Sequence, residues 1–306
     1  MCIVPPFFKG EWWGRGDLNS RPERPKLSID WDGFEDWLLK SHSENTVKLI
    51  LRYALRYYWI LWSPEKAGVL FGESKNVRRS TMLALSNLSK YLGVYESWKN
   101  IVKNYGFKWE KRTGLETVMN LLNMNLEDVV TWLLIALKKL RRNYGAVLAY
   151  QVLTGLRPSE AVESCRLVRS DLKNYLNREL MALEHWKYPR VFLRRTKNAY
   201  ISFADENLIS LVLESEKIPP KAAIKSALRK RGLPQRMIDL RRLYATTLRN
   251  AGIPRESIDL LQGRISQNVF MMYYYKPHLI QLKRNVQKAL KPLKERIFEV
   301  MEHTES

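Results

Sequence analysis

Five residues from distant stretches of the chain carry the side chains that phosphodiester chemistry needs. They are Arg157 in "TGLRPSEA", Lys197 in "FLRRTKNAYISF", Arg241 in "DLRRLYATTLRNAG", Arg264 in "LLQGRIS", and a tyrosine in "VFMMYYYKP". A guanidinium offers a rigid fork that bonds two phosphate oxygens and keeps its charge at any working pH. The Lys197 ammonium is suited to a different task, handing a proton to a leaving oxygen as a general acid. A phenol supplies the nucleophile. Together they would cut a phosphodiester without a metal, provided that one fold gathers them.

The motifs also predict the elements that must position them. Gly155 suits the end of one helix, and Pro158, Ser159 and Glu160 suit the opening turn of the next. Arg157 then stands at a helix start, where free N–H groups and the helix dipole favour an anion. An ordinary capped helix with its arginine in water fits the same residues. "DLRRLYATTLRNAG" reads as a helix with Asp239 as N-cap, an inward face of Leu240, Leu243, Tyr244, Thr247 and Leu248, and Gly252 as its stop. The next helix opens at Pro254 and stops at Gly263, leaving Arg264 just past its end. "RVFLRR" and "AYISFA" are short β-type runs separated by "TKN", which predicts a hairpin over 190–203 with Lys197 at the turn.

The bulk composition narrows the partner. A formal charge of +21 favours a polyanion, because every phosphate neutralised releases condensed counterions. A nucleic acid is the partner this suggests, double-stranded DNA among the possibilities; no membrane partner is expected, since no basic amphipathic anchor stands apart from the rest. No apolar run approaches the roughly 20 residues that span a bilayer, and the N-terminus has no secretory pattern. The chain is therefore read as soluble, intracellular and cytoplasmic. Cys2 and Cys165 form no CxxC pattern, and His42, His185, His278 and His303 lack metal-ligand spacing. No metal and no small-molecule cofactor is expected.

Along the chain, prolines and glycines make 1–28 an irregular N-terminal segment. From 29 to about 105 the apolar residues fall at helical steps, as Trp31, Phe34, Trp37 and Leu38 do, and four or five short helices are expected. Lys48, Arg52 and Arg56 stack on one helix face there, as a phosphate-contacting stripe or a solvated face. Charge and glycine interrupt the pattern at 105–114, the place of a domain link. Residues 117–153 are helical, and helices return after 205. The fold class is mainly α with a small β-sheet.

In their order and spacing these motifs resemble the tyrosine recombinases, the phage-type integrases, over about 145–280. "TGLRPSE" and "LRRLYATTL" match the family's two arginine boxes, "RTKNAYISF" its lysine segment, and "LLQGR" with the tyrosines beyond it the last box. The resemblance implies a helical core-binding, DNA-binding domain over 29–110 and a catalytic domain of the DNA breaking-rejoining type over 111–306, with a C-terminal helical tail. It implies attack by a tyrosine on DNA, a 3′-phosphotyrosine, and a homo-tetramer that exchanges strands on DNA. Such tails dock on neighbouring protomers in the family; a plain terminal helix fits the amphipathic pattern as well.

Two positions depart from the family pattern. Ile238 stands where the second arginine box carries His, and Arg264 stands where the last box carries His or Trp. The wording "LQGRIS…VF…YYYKP" resembles integrases of archaeal viruses and plasmids. Bacterial spacing favours Tyr273 as nucleophile and the archaeal pattern favours Tyr274, the choice made here. Asp17, Leu18 and Asn19 can be encoded by a string whose complement, GTTCAAATC, resembles the T-loop of a tRNA gene, so integration at such a gene is expected. A type IB topoisomerase-like enzyme and a non-catalytic basic DNA-binding protein are the competing readings.

Overall fold

A computed structural model describes residues 29–109, 114, 115, 118, 119, 125–194, 197–234, 236–264 and 273–303. The irregular segment expected over 1–28, with the tRNA-like stretch at 17–19, lies outside the described residues. The protein is mainly helical with one small antiparallel sheet, and it divides into two compact units, Met1–Thr117 and Val118–Ser306. Among the described residues no helix is long and apolar enough to cross a membrane.

The first unit holds α1 (Trp31–Leu39), α2 (Glu44–Tyr57), α3 (Lys75–Tyr91) and α4 (Tyr95–Asn104), with two 3₁₀ stretches between α2 and α3. The Asp30 carboxylate caps α1 by accepting from the Gly33 N–H at 2.8 Å. Trp31, Phe34 and Leu38 point inward from α1, and Val47, Ile50, Leu51 and Ala54 from α2, onto Ala84 and Leu88 of α3. Each buried Val, Leu, Ile or Phe side chain among them contributes about 1.5–3 kcal/mol. The opposite face of α2 carries the basic stripe: Lys48 and Arg56 are exposed and Arg52 is half-buried. Arg56 lies over the Tyr57 ring and pairs with Glu73 at 3.3 Å.

The second unit is organised around one helix. It comprises α5 (Leu126–Lys139), α6 (Arg142–Thr154), α7 (Pro158–Ser170), α8 (Leu172–Tyr175), α9 (Pro189–Phe192), α10 (Glu206–Leu213), α11 (Lys221–Lys230), α12 (Met237–Asn250), α13 (Arg255–Leu261) and α14 (Leu279–Glu302). Every residue of α6 from Gly145 to Thr154 is buried. A helix apolar all round must be enclosed, and α5, α7, α10, α12 and α14 pack against this one. Gly155 then ends it in the left-handed conformation, φ 69°. A Cβ there would fall on the Tyr244 ring, so the residue is glycine for both reasons.

The tail helix α14 packs within its own unit. Leu282, Val286, Leu290, Leu293, Ile297 and Met301 form its buried stripe against α5, α6 and α12. Arg296 reaches Glu127 at 2.8 Å and Lys294 reaches Asp205 at 2.5 Å.

The hairpin expected over 190–203 is not what forms. Strands β1 (Leu176–Asn177), β2 (Ala182–Leu183) and β3 (Ser202–Phe203) make the sheet in that order, with Leu176 opposite Leu183 and Ala182 opposite Phe203. "PRVF" is the helical turn α9 instead. Pro189 lacks the N–H a ladder requires but suits a first helical position. Phe192 is buried against His185 and Tyr175, ring centroids 4.6 and 6.2 Å away, and this packing outweighs the β-type pattern. The loop carrying Lys197 is nevertheless closed at its base, where the Ala199 N–H donates to the Phe192 carbonyl at 3.0 Å.

A smaller correction concerns α12, which starts at Met237 rather than after Asp239. Met237 is buried and its carbonyl accepts from Gln151 Nε2 at 2.7 Å, so the first turn is anchored two residues early. Asp239 therefore lies within that turn, where it accepts from Arg242 at 2.7 Å.

Candidate active site

All four cationic motifs meet through hydrogen bonds from Arg157 and Arg241 to main-chain carbonyls. Arg241, on the buried side of α12, is 4% exposed. Its Nη1 donates to the Gly155 carbonyl at 2.8 Å, and its Nη2 donates to the Gln262 carbonyl. One guanidinium thus ties the end of α6 to the end of α13. Gln262 answers by donating its amide Nε2 to the Arg241 carbonyl at 2.9 Å. Two of the five guanidinium N–H bonds are used this way.

Arg157 is fixed from the other side. It is the N-cap residue of α7, and the buried Glu160 carboxylate accepts from both its backbone N–H, at 3.0 Å, and its Nη1, at 2.8 Å. The same Nη1 donates to the Asn198 carbonyl at 3.1 Å, which brings in the Lys197 loop. Gly263 closes the ring of contacts: a Cβ on it would land on the Asn198 carbonyl. Its φ of 62° also favours glycine, so the backbone of "LLQGR" lies directly on the backbone of the lysine loop.

The electrostatics agree with this proximity. Burial first, then the positive charge of Arg157 and that of Arg264, lower Arg241 to about 10, while Glu160 acts in the opposite sense. Arg241 remains a cation at neutral pH. A buried cation beside two others is costly unless compensated, and the Glu160 carboxylate, shared among arginines, supplies that compensation. Arg194 joins the same carboxylate at 3.4 Å.

The remaining residues are more open. Lys197 is exposed beside Asn198. The Arg264 side chain is 57% exposed, with its Nη1 4.0 Å from Asp259. Tyr273 and Tyr274 are 67% and 71% exposed, and among the described residues no hydrogen bond joins either hydroxyl to the arginines. Tyr275 is turned inward and bonds Ser257 through its hydroxyl, a packing role. Ile238 is 48% exposed on the first turn of α12. Lys48, Arg52 and Arg56 belong to the first unit.

A buried hydrogen-bonded chain supports the cluster from beneath. Tyr150 and Ser164 are 2.6 Å apart, Ser164 and Tyr175 2.7 Å, and Tyr175 and His185 Nδ1 2.5 Å. His185 Nε2 is 2.9 Å from Ser202, whose hydroxyl donates to the Thr154 carbonyl at 3.2 Å. Because the Ser202 proton goes to Thr154, His185 Nε2 must carry the proton given to Ser202. Nδ1 then accepts from Tyr175, and the donors run one way from Tyr150. This needs a neutral imidazole, and complete burial lowers His185 to about 3. The chain ends one residue before Gly155 and its bond to Arg241.

Glu160, Gln262, Asn198 and Arg194 escaped the reading of the sequence as parts of the site. Glu160 had a signal, since an acid three residues after an N-cap position closes a capping box. The other three make contacts that no local spacing announces. No protein-family model matches this sequence, and no curated protein matches it.

Proposed function

We propose that this protein is a site-specific DNA recombinase that cuts and rejoins DNA through a tyrosine, as an integrase of a mobile element. The observation that carries this reading is the meeting of Arg157, Arg241 and the Lys197 loop with the segment leading to Arg264, through hydrogen bonds of Arg157 and Arg241 to main-chain carbonyls. A cluster of this many cations suits a doubly esterified phosphate that gains charge as it reacts. The charge of +21 suits a duplex around it.

In the proposed reaction the Tyr274 oxygen bonds to the scissile phosphorus as the bond from phosphorus to the 5′ oxygen breaks. The phenol proton passes to water. Lys197 protonates the departing 5′ oxygen and is reprotonated by solvent. Arg157, Arg241 and Arg264 hold the non-bridging oxygens through the transition state. The 3′-phosphotyrosine conserves the bond energy, so a 5′-hydroxyl of a second duplex can reverse the step and join a new partner. Four copies on two duplexes would complete the exchange, with a tRNA gene as the expected target.

The test is covalent capture. A nicked duplex that loses its short 5′ fragment after cleavage traps the adduct, and mass spectrometry of the digested protein identifies the modified residue. An adduct on Tyr274 is expected; no adduct on any substrate carrying tRNA-gene DNA refutes the reading. A plasmid with two target sites separates recombination from simple relaxation, since only recombination relinks the flanking markers. A second reading, a non-catalytic DNA-binding protein, is favoured by Ile238, which puts an alkyl group where the resembling enzymes place a titratable side chain. It predicts tight binding to duplex DNA with no adduct.

A further inference from the structure

Asn198 occupies the point where three of the site's segments touch. Its side-chain Oδ1 accepts from the Arg194 N–H at 2.7 Å, and its Nδ2 donates to the Tyr200 hydroxyl at 3.0 Å. Its carbonyl accepts from Arg157 Nη1, and its backbone lies against Gly263. Lys197 is its immediate neighbour in a loop closed below by the Phe192–Ala199 bond. We propose that Asn198 is a positioning residue, whose side-chain amide holds the loop so that Lys197 faces the phosphate gripped by the arginines.

The proposal rests on the recombinase reading and divides the labour within it. A lysine side chain is long and flexible, so the placement of its ammonium depends on the backbone from which it starts. The Asn198 carbonyl belongs to the main chain and serves Arg157 whatever side chain stands at 198. The amide group serves the loop alone. Replacing Asn198 by Ala should therefore leave the grip on the non-bridging oxygens intact and impair delivery of the proton to the 5′ oxygen.

A substrate whose 5′ bridging oxygen is replaced by sulfur tests this. A thiolate leaves without a proton, because thiols ionise near pH 8.5, far below alcohols. On ordinary DNA, Asn198→Ala should cleave about 10²-fold more slowly than wild type, the scale of loss that a misplacement of about 1 Å produces. On the sulfur-bridged substrate the two proteins should agree within about threefold. Lys197→Ala should show the same rescue, and adding Asn198→Ala to it should change nothing further, since one residue acts through the other.

Equal losses on both substrates, or additive losses in the double variant, would overturn the proposal and make Asn198 a general structural residue. Wild-type protein that joins covalently to neither substrate refutes the recombinase reading itself, a different result. Should Asn198→Ala fail to fold, Tyr200→Phe removes only the hydroxyl that holds the amide. It should show a several-fold loss on ordinary DNA, again absent on the sulfur-bridged substrate.

Discussion

Arg241 and Tyr274 belong to one unit and to one proposed reaction, yet their surroundings are opposite. Arg241 is enclosed, bonded to two main-chain carbonyls, and supported by the buried chain that ends at Thr154. Tyr274 is exposed and, among the described residues, bonds none of the arginines. In the proposed reaction the cationic end needs its geometry before DNA arrives, since donors that must reorganise during a reaction lose their advantage. Holding the Arg157 and Arg241 guanidinium groups close to one another also demands a rigid, compensated setting, here the nearby Glu160 carboxylate. A single neutral phenol carries no such repulsion and requires no burial to be held in place.

The comparison breaks most readily at the tyrosine. Tyr274→Phe should lower adduct formation by about 10⁴-fold or more, the scale seen when a nucleophile is removed, without a change in melting temperature. Tyr273→Phe should form the adduct at the wild-type level. The reverse pattern would move the nucleophile one residue.

The arginines sharpen it next. Arg241→Ala and Arg264→Ala should each slow cleavage by about 10²–10³-fold, but only the first should unfold more easily. Loss of Arg241 strands two buried carbonyls and should cost about 3 kcal/mol in denaturant unfolding. Arg264 is open to solvent, and its loss should change stability by less than about 0.5 kcal/mol. Equal destabilisation by both would erase the difference between the buried and exposed cations.

Acid should loosen the cationic end through His185. Its folded-state value, about 3, lies below the ordinary imidazole value of 6.5, so the unfolded chain takes up a proton that the folded chain refuses. Stability contributed by the neutral ring is present above pH 6.5 and falls by about 1.4 kcal/mol per pH unit as pH drops toward 3. Urea midpoints measured between pH 6.5 and 4.5 should show this slope, and His185→Asn should flatten it. The smallest effect belongs outside both ends, on α2. Arg56→Ala should alter stability by less than about 1 kcal/mol and reduce the salt dependence of DNA binding by about one phosphate's worth.

Much of the scaffold was legible where the cause is local. Gly155, Gly252 and Gly263 end helices because a left-handed residue is needed there, and Pro158 opens one because its missing N–H is not required. The inward face of α12 follows from helical spacing. The hairpin over 190–203 failed because a short apolar run suits a strand or a buried turn equally. What settled it was Phe192 packing on Tyr175 and His185, residues that the pattern of "RVFLRR" does not mention. The early start of α12 likewise depends on Gln151, far upstream.

By itself the amino-acid order determined where helices stop, which faces are apolar, and that each arginine stands at or near a helix end. Such features depend on backbone preferences and on periodicity within a few residues. Only the tertiary structure decided that Arg241 turns inward while Arg264 stays in water, that Glu160 serves two arginines, and that Asn198 lies beneath Gly263. Those outcomes depend on which distant carbonyl or ring occupies the adjoining space, and the enclosing of α6 by five other helices creates that space.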